Sequence, residues 1–142
     1  MSRVWRWLAA GIITVLALLG SARPVSAHAS LLSTNPTADS VLETSPAAIV
    51  LTFTEPVDPT DDAIRLVTAD GTPVELGSIT QDRAATLSAE LTEELDDGSY
   101  VVAWSAVSAD SHPISGAFVF SVGTPSTDPD GLIGDVLGDN GA

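Results

Sequence analysis

Ser108-Ala109-Asp110-Ser111-His112-Pro113-Ile114-Ser115-Gly116 separates two runs of strong β-formers, Tyr100 to Val107 and Ala117 to Val122. The stretch holds one of only two histidines in the 142-residue chain. Pro113 supplies no backbone donor and pushes His112 towards an extended conformation. Residues two apart in an extended chain point the same way, so the Asp110 carboxylate and the His112 imidazole are expected to share a face. An oxygen and a nitrogen donor side by side suit a transition metal. The same Asp-x-His also fits a solvated turn, and the second histidine bears on that choice.

Outward from this stretch, the chain repeats strands and turns. Ala29 to Thr34 reads as an opening strand, closed by Asn35-Pro36, and residues 37–46 are turn-rich. Ala48 to Thr54 is a strand of strong β-formers. Glu55-Pro56-Val57-Asp58-Pro59 breaks it, and Asp61-Asp62 prolong the loop. Ile64 to Thr68 alternates apolar and polar. Asp70-Gly71 is a hairpin signal ahead of Pro73 to Leu76. Ala84 to Leu91 comes next, with Leu87 and Leu91 as expected core residues, and Asp96-Asp97-Gly98 is a tight turn. Seven strands with frequent turns predict an all-β Greek-key sandwich or barrel, with Tyr100, Trp104, Phe118 and Phe120 as large core fillers.

Composition narrows the function. There is no cysteine, which excludes disulfides, zinc–thiolate sites and thiol catalysis. There is no lysine, and the net charge of −14 argues against nucleic acid as a partner. Arg3 and Arg6 precede the apolar run Leu8 to Leu19, which is short for a membrane span. Val25-Ser26-Ala27 fits a signal-peptidase site, so residues 1–27 read as a cleaved signal peptide. An uncleaved signal anchor is the alternative. The tail, residues 124–142, is rich in Pro, Gly and Asp and is expected to be disordered. Leu132, Ile133, Val136 and Leu137 could line one face of a short helix there.

Cleavage after Ala27 makes His28 the first residue. A free α-amine has a pKa of about 7.7 to 8.0, so a metal can displace its proton near neutrality. The amine and the Nδ1 of the same histidine can close a six-membered chelate ring. Otherwise His28 is merely the residue next to the cleavage site, on a frayed terminus.

His28-Ala29, the segment Leu51-Thr52-Phe53-Thr54-Glu55-Pro56-Val57, and Trp104 followed by Val107 to Gly116 together resemble the CopC family of exported copper-binding proteins. The match spans residues 28–123. It implies a cupredoxin-like or immunoglobulin-like β fold and one Cu(II) site. The implied ligands are the amine and imidazole of His28, the carboxylate of Asp110 and the imidazole of His112. Glu55 matches an acidic position near that site, where the resemblance implies that it supports the ligands from behind or merely ends a strand. Some relatives carry a methionine-rich Cu(I) site, but Met1 is the only methionine here. Others join the domain to a membrane protein, which implies a membrane copper transporter of the CopD type as partner.

The expected function is therefore Cu(II) binding outside the cytoplasm, in the periplasm or beyond, for copper resistance or delivery, by a monomer without catalytic activity. A copper-dependent oxidative enzyme with an N-terminal histidine centre is one alternative. A metal-free immunoglobulin-like adhesion module is the other.

Overall fold

In Ala48–Phe53 every second side chain is buried, which puts Ile49, Leu51 and Phe53 on one face. That is the period of a strand with one face in a core. The computed structural model describes residues 28–126, together with Ile133, Gly134 and Val136. The leader assigned to residues 1–27 and most of the tail beyond Ser126 lie outside the described residues.

Nine strands are described: β1 Leu31–Asn35, β2 Val41–Leu42, β3 Ala48–Phe53, β4 Val57–Thr68, β5 Pro73–Val74, β6 Leu76–Arg83, β7 Thr86–Leu91, β8 Gly98–Ser108 and β9 Pro113–Val122. They form a four-stranded sheet, β1-β3-β7-β6, and a five-stranded sheet, β2-β9-β8-β4-β5. Among the described residues, only β2 and β9 pair in parallel. The chain crosses between the sheets five times, which makes a sandwich of the expected all-β class. Ile49, Leu51, Leu87, Val102 and Phe120 are wholly buried between the sheets. Leu91 and Trp104 pack at the margin of this core.

Three expectations need correction. The sequence reading gives seven strands and misses β2 and β6. β2 has two residues, and β6 is an edge strand whose last four residues are all exposed, so neither has an apolar alternation to read. The loop expected around Asp58 to Asp62 is part of β4. Its prolines and acids are absorbed by a register shift between Pro59 and Ile64 against β8. β9 starts at Pro113, opposite Val107, four residues earlier than expected.

The same pairing fixes the position of Asp110 and His112. β8 and β9 run together to Val107 and Pro113, leaving Ser108 to His112 as the turn at one end of the five-stranded sheet. β1 pairs with β3 from Leu31 opposite Phe53. The amide of Ser30 donates to Thr54 Oγ1 at 3.0 Å, and the amide of Thr54 donates to the Ser30 carbonyl at 2.9 Å. Ala29 is buried and His28 is exposed. The start of the domain is thus pinned down from Ser30 onward, with Ala29 buried just ahead of it.

Candidate metal centre

The turn at Ser108 to His112 is closed by two backbone hydrogen bonds. The amide of Ser111 donates to the Ser108 carbonyl at 2.8 Å, and that of Ser108 donates to the His112 carbonyl at 2.9 Å. Ser111 takes a φ of 67°, the left-handed region that favours glycine. Asp110 and His112 therefore meet across a tight turn with a left-handed residue between them. The expected proximity holds, but the expected extended backbone does not.

Ser108 orients the carboxylate. Its buried hydroxyl is hydrogen-bonded to Asp110 Oδ1 and lies 3.0 Å from the His112 carbonyl. The His112 amide donates to the same Oδ1 at 3.3 Å. Oδ2 is left to face two imidazoles, with His112 Nδ1 at 3.1 Å and His28 Nδ1 at 3.3 Å. The two rings are 4.7 Å apart at their centroids, tilted by 31°. The Ser108 hydrogen bond chiefly, helped by the His112 amide, the His112 ring and the charge of His28, lowers the Asp110 pKa to about 2. The carboxylate is ionised at any physiological pH.

One donor atom from each of His28, Asp110 and His112 lies within 4.8 Å of the others. Metal–nitrogen and metal–oxygen bonds of about 2.0 Å put neighbouring corners of a square about 2.8 Å apart. The two Nδ1···Oδ2 separations are slightly wider than that, so small side-chain rotations suffice to take a metal. Both nitrogens facing the carboxylate are Nδ1, the atom of His28 that can form a chelate ring with its own amine. Glu55 is exposed and is not one of the three converging groups.

Sequence reasoning missed the part played by Ser108 and Ser111. A signal for it was present. Thr68-Ala69-Asp70 matches Ser108-Ala109-Asp110 in residue type, and Thr68 to Thr72 builds the same turn as Ser108 to His112 at the other end of the sheet. Gly71 donates to the Thr68 carbonyl and Thr68 to the Thr72 carbonyl, both at 2.9 Å. Thr68 Oγ1 donates to Asp70 Oδ1 as Ser108 does to Asp110. Gly71 has a φ of 82°. Where that turn ends in Thr72, the candidate site has a histidine.

The CopC domain model matches residues 31–123, a span that includes Asp110 and His112 and begins three residues after His28. The chain belongs to the CopC domain family. Copper resistance protein C of Xanthomonas campestris pv. juglandis is 31% identical over 125 residues, covering 83% of this chain and 97% of that protein. Copper transport protein CutJ of Bacillus subtilis is 32% identical over 114 residues, 79% of this chain. This chain spans only 21% of the length of CutJ. Among solved structures, CopC from Methylosinus trichosporium OB3b superposes with a TM-score of 0.61 at 28% identity, covering 70% of this chain and 97% of that one. PcoC from Escherichia coli, described as a methionine-rich copper resistance protein, gives 0.59 at 31% identity, covering 68% and 100%. The CopC fold is thus shared by a two-sheet sandwich whose turn carries Asp110 and His112. Among the described residues, no helix is long and apolar enough to cross a membrane.

Proposed function

We propose that this CopC-domain protein binds one Cu(II) ion through the amine and imidazole of His28, the carboxylate of Asp110 and the imidazole of His112. The convergence of these three side chains in a protein whose relatives are named for copper resistance and transport carries the reading. Three nitrogens and one anionic oxygen suit tetragonal Cu(II), and the Irving–Williams order favours copper over nickel and zinc for such a set. No thioether or thiol is left after removal of Met1, so Cu(I) binds weakly. The protein is exported to the periplasm or beyond after cleavage at Ala27. It works as a monomeric, non-catalytic carrier for copper tolerance or delivery, with a CopD-type membrane transporter as partner. Glu55 and the acidic surface concentrate cations near the site without holding the ion.

Copper titration of the protein beginning at His28 tests this. Once the leader is gone, Trp104 is the only tryptophan, and its fluorescence reports on the domain. One equivalent of Cu(II) should saturate the protein and give an axial type 2 resonance spectrum with nitrogen couplings. Asp110→Asn should weaken binding by about a hundredfold and His112→Ala by at least as much, given that even residues behind the ligands cost about 10–100-fold. Parent-like affinity in both variants would reduce the cluster to a surface His–Asp pair.

A further inference from the structure

Side chains of β8 and β9 alternate between two faces, and only one of those faces belongs to the sandwich core. Tyr100, Val102, Phe118 and Phe120 are on the core side. Val101 and Val119 pair directly across the two strands and point the other way. Yet only 0% and 3% of their surface is exposed. On an open sheet face a valine stays in contact with water, so this outward pair is covered.

The chain leaving β9 is steered to that face. Gly123 turns with a φ of 58°, and its amide donates to the Leu42 carbonyl at 2.8 Å. The amide of Thr124 donates to Asp97 Oδ2 at 3.2 Å. Ser126 then settles on Ser99. The Ser126 amide donates to Ser99 Oγ, and the Ser99 amide donates to Ser126 Oγ, both at 3.0 Å. Ser99 Oγ is also 2.8 Å from Ser121 Oγ. Ser99 and Ser121 form the row next to Val101 and Val119 on the same face. Further on, Ile133 and Val136 are helical and half-buried, while Gly134 between them is exposed. Residues three apart share one side of a helix.

We propose that Ile133 and Val136 dock on the outer face of the five-stranded sheet and cover the Val101–Val119 pair. Reach is ample. Seven residues span up to about 23 Å when extended, and the next outward row of a strand is about 7 Å away. The family match ends at residue 123, so this cover lies beyond the CopC domain itself. It sits at the end of the sheet remote from Ser108, about 23 Å along β8 from Val101. The cover closes an apolar pair on which a second copy of the chain could otherwise stack, and it leaves the metal centre untouched.

Nuclear Overhauser contacts in the protein running from His28 to Ala142 test this directly. Methyl groups of Ile133 and Val136 should show contacts to those of Val101 and Val119. In the double variant Ile133→Asp/Val136→Asp those contacts should vanish and hydrophobic dye binding should rise. The unfolding midpoint should fall by about 4–8 °C, a shift typical of losing one modest apolar contact in a domain of this size. Copper affinity should stay within about twofold of the parent, since the metal centre lies outside the face. Absence of the methyl contacts in the parent overturns the proposal. So does a double variant with parent-like melting and dye binding. A concentration-dependent dimer with intermolecular contacts at Val101 overturns it too, because the cover would then be a second copy.

Discussion

The hydroxyl of Ser108 holds Oδ1 of Asp110, and so decides which carboxylate oxygen is left to face His28 and His112. Ser108 is buried while the histidines are more than half exposed. The rigid part of the centre is thus the strand end beneath it. Removing the hydroxyl with Ser108→Ala frees the carboxylate to rotate. The Asp110 pKa should rise from about 2 towards its ordinary 3.8 in a carboxyl titration followed by nuclear magnetic resonance. Copper affinity should fall by about tenfold, the lower end for a residue that orients a ligand. An unmoved titration would mean that the His112 amide alone fixes the carboxylate.

Ser111 occupies the left-handed position that Gly71 occupies in the matching turn. A non-glycine residue there costs about 1–2 kcal/mol, against about 0.5–1 kcal/mol of extra chain entropy lost by glycine on folding. Ser111→Gly should therefore raise stability by up to about 1 kcal/mol, seen as a higher denaturant midpoint at constant slope. Copper affinity should hold, because the hydrogen bonds of the turn come from its backbone and from Ser108. A lower midpoint would show that the serine is favoured in this conformation.

Gly116 faces Trp104 directly across β8 and β9, and a Cβ on it would come within 2.7 Å of the indole Cζ2. Trp104 cannot yield freely, since its ring lies edge-on to Phe53 at 5.4 Å. Gly116→Ala should cost about 1–3 kcal/mol, as overpacking does. It should also change the Trp104 emission of the metal-free protein. Unchanged emission and stability would show that the indole has room to move.

The candidate site was more legible than the strands that carry it. His28, Asp110 and His112 stand out because the chain has only two histidines and because a known motif surrounds the second. Their proximity depends on Ser111 going left-handed, which serine seldom does, so the residue type gave no warning. β3 and β8 were readable from their β-formers. β6 was not, because an edge strand buries little and Gly77, Ser78 and Gln81 look like loop. The start of β4 was hidden by Pro56, Pro59 and the acids, which strands usually avoid; the register shift against β8 makes room for them. Burial of Val101 and Val119 on the outer face was invisible, because strand alternation assigns that face to solvent.

The depressed Asp110 pKa sets two pH windows. The ionised carboxylate favours the folded state above its ordinary pKa of 3.8, and that contribution is lost as pH falls through about 2. Metal release should come earlier. Nitrogen donors must be deprotonated to bind, whereas Asp110 stays charged down to about pH 2. Acid release of Cu(II) should therefore begin well above pH 2, while Asp110 is still charged, and leave circular dichroism unchanged. Release that tracks protonation of Asp110 itself would contradict the ligand set.

The sharpest test concerns the first residue. An extension such as Met-Ser in front of His28 leaves both imidazoles and the Asp110 carboxylate in place but turns the amine into an amide. A peptide amide does not give up its proton near neutrality without strong metal assistance, so the chelate ring at His28 opens. Affinity for Cu(II) should fall by at least about a hundredfold, each tenfold step being about 1.4 kcal/mol, and the nitrogen couplings in the resonance spectrum should change. The fold should hardly notice. The His28 side chain is 58% exposed, whereas the pinned start of the domain lies behind it, at buried Ala29 and at Ser30 bonded to Thr54. An extension therefore leaves into solvent without disturbing β1. Equal melting of the two metal-free proteins with unequal copper affinity would separate a lost ligand from a damaged fold. Equal copper affinity with an unchanged spectrum would remove the amine from the site and leave a three-donor centre of His28, Asp110 and His112 side chains.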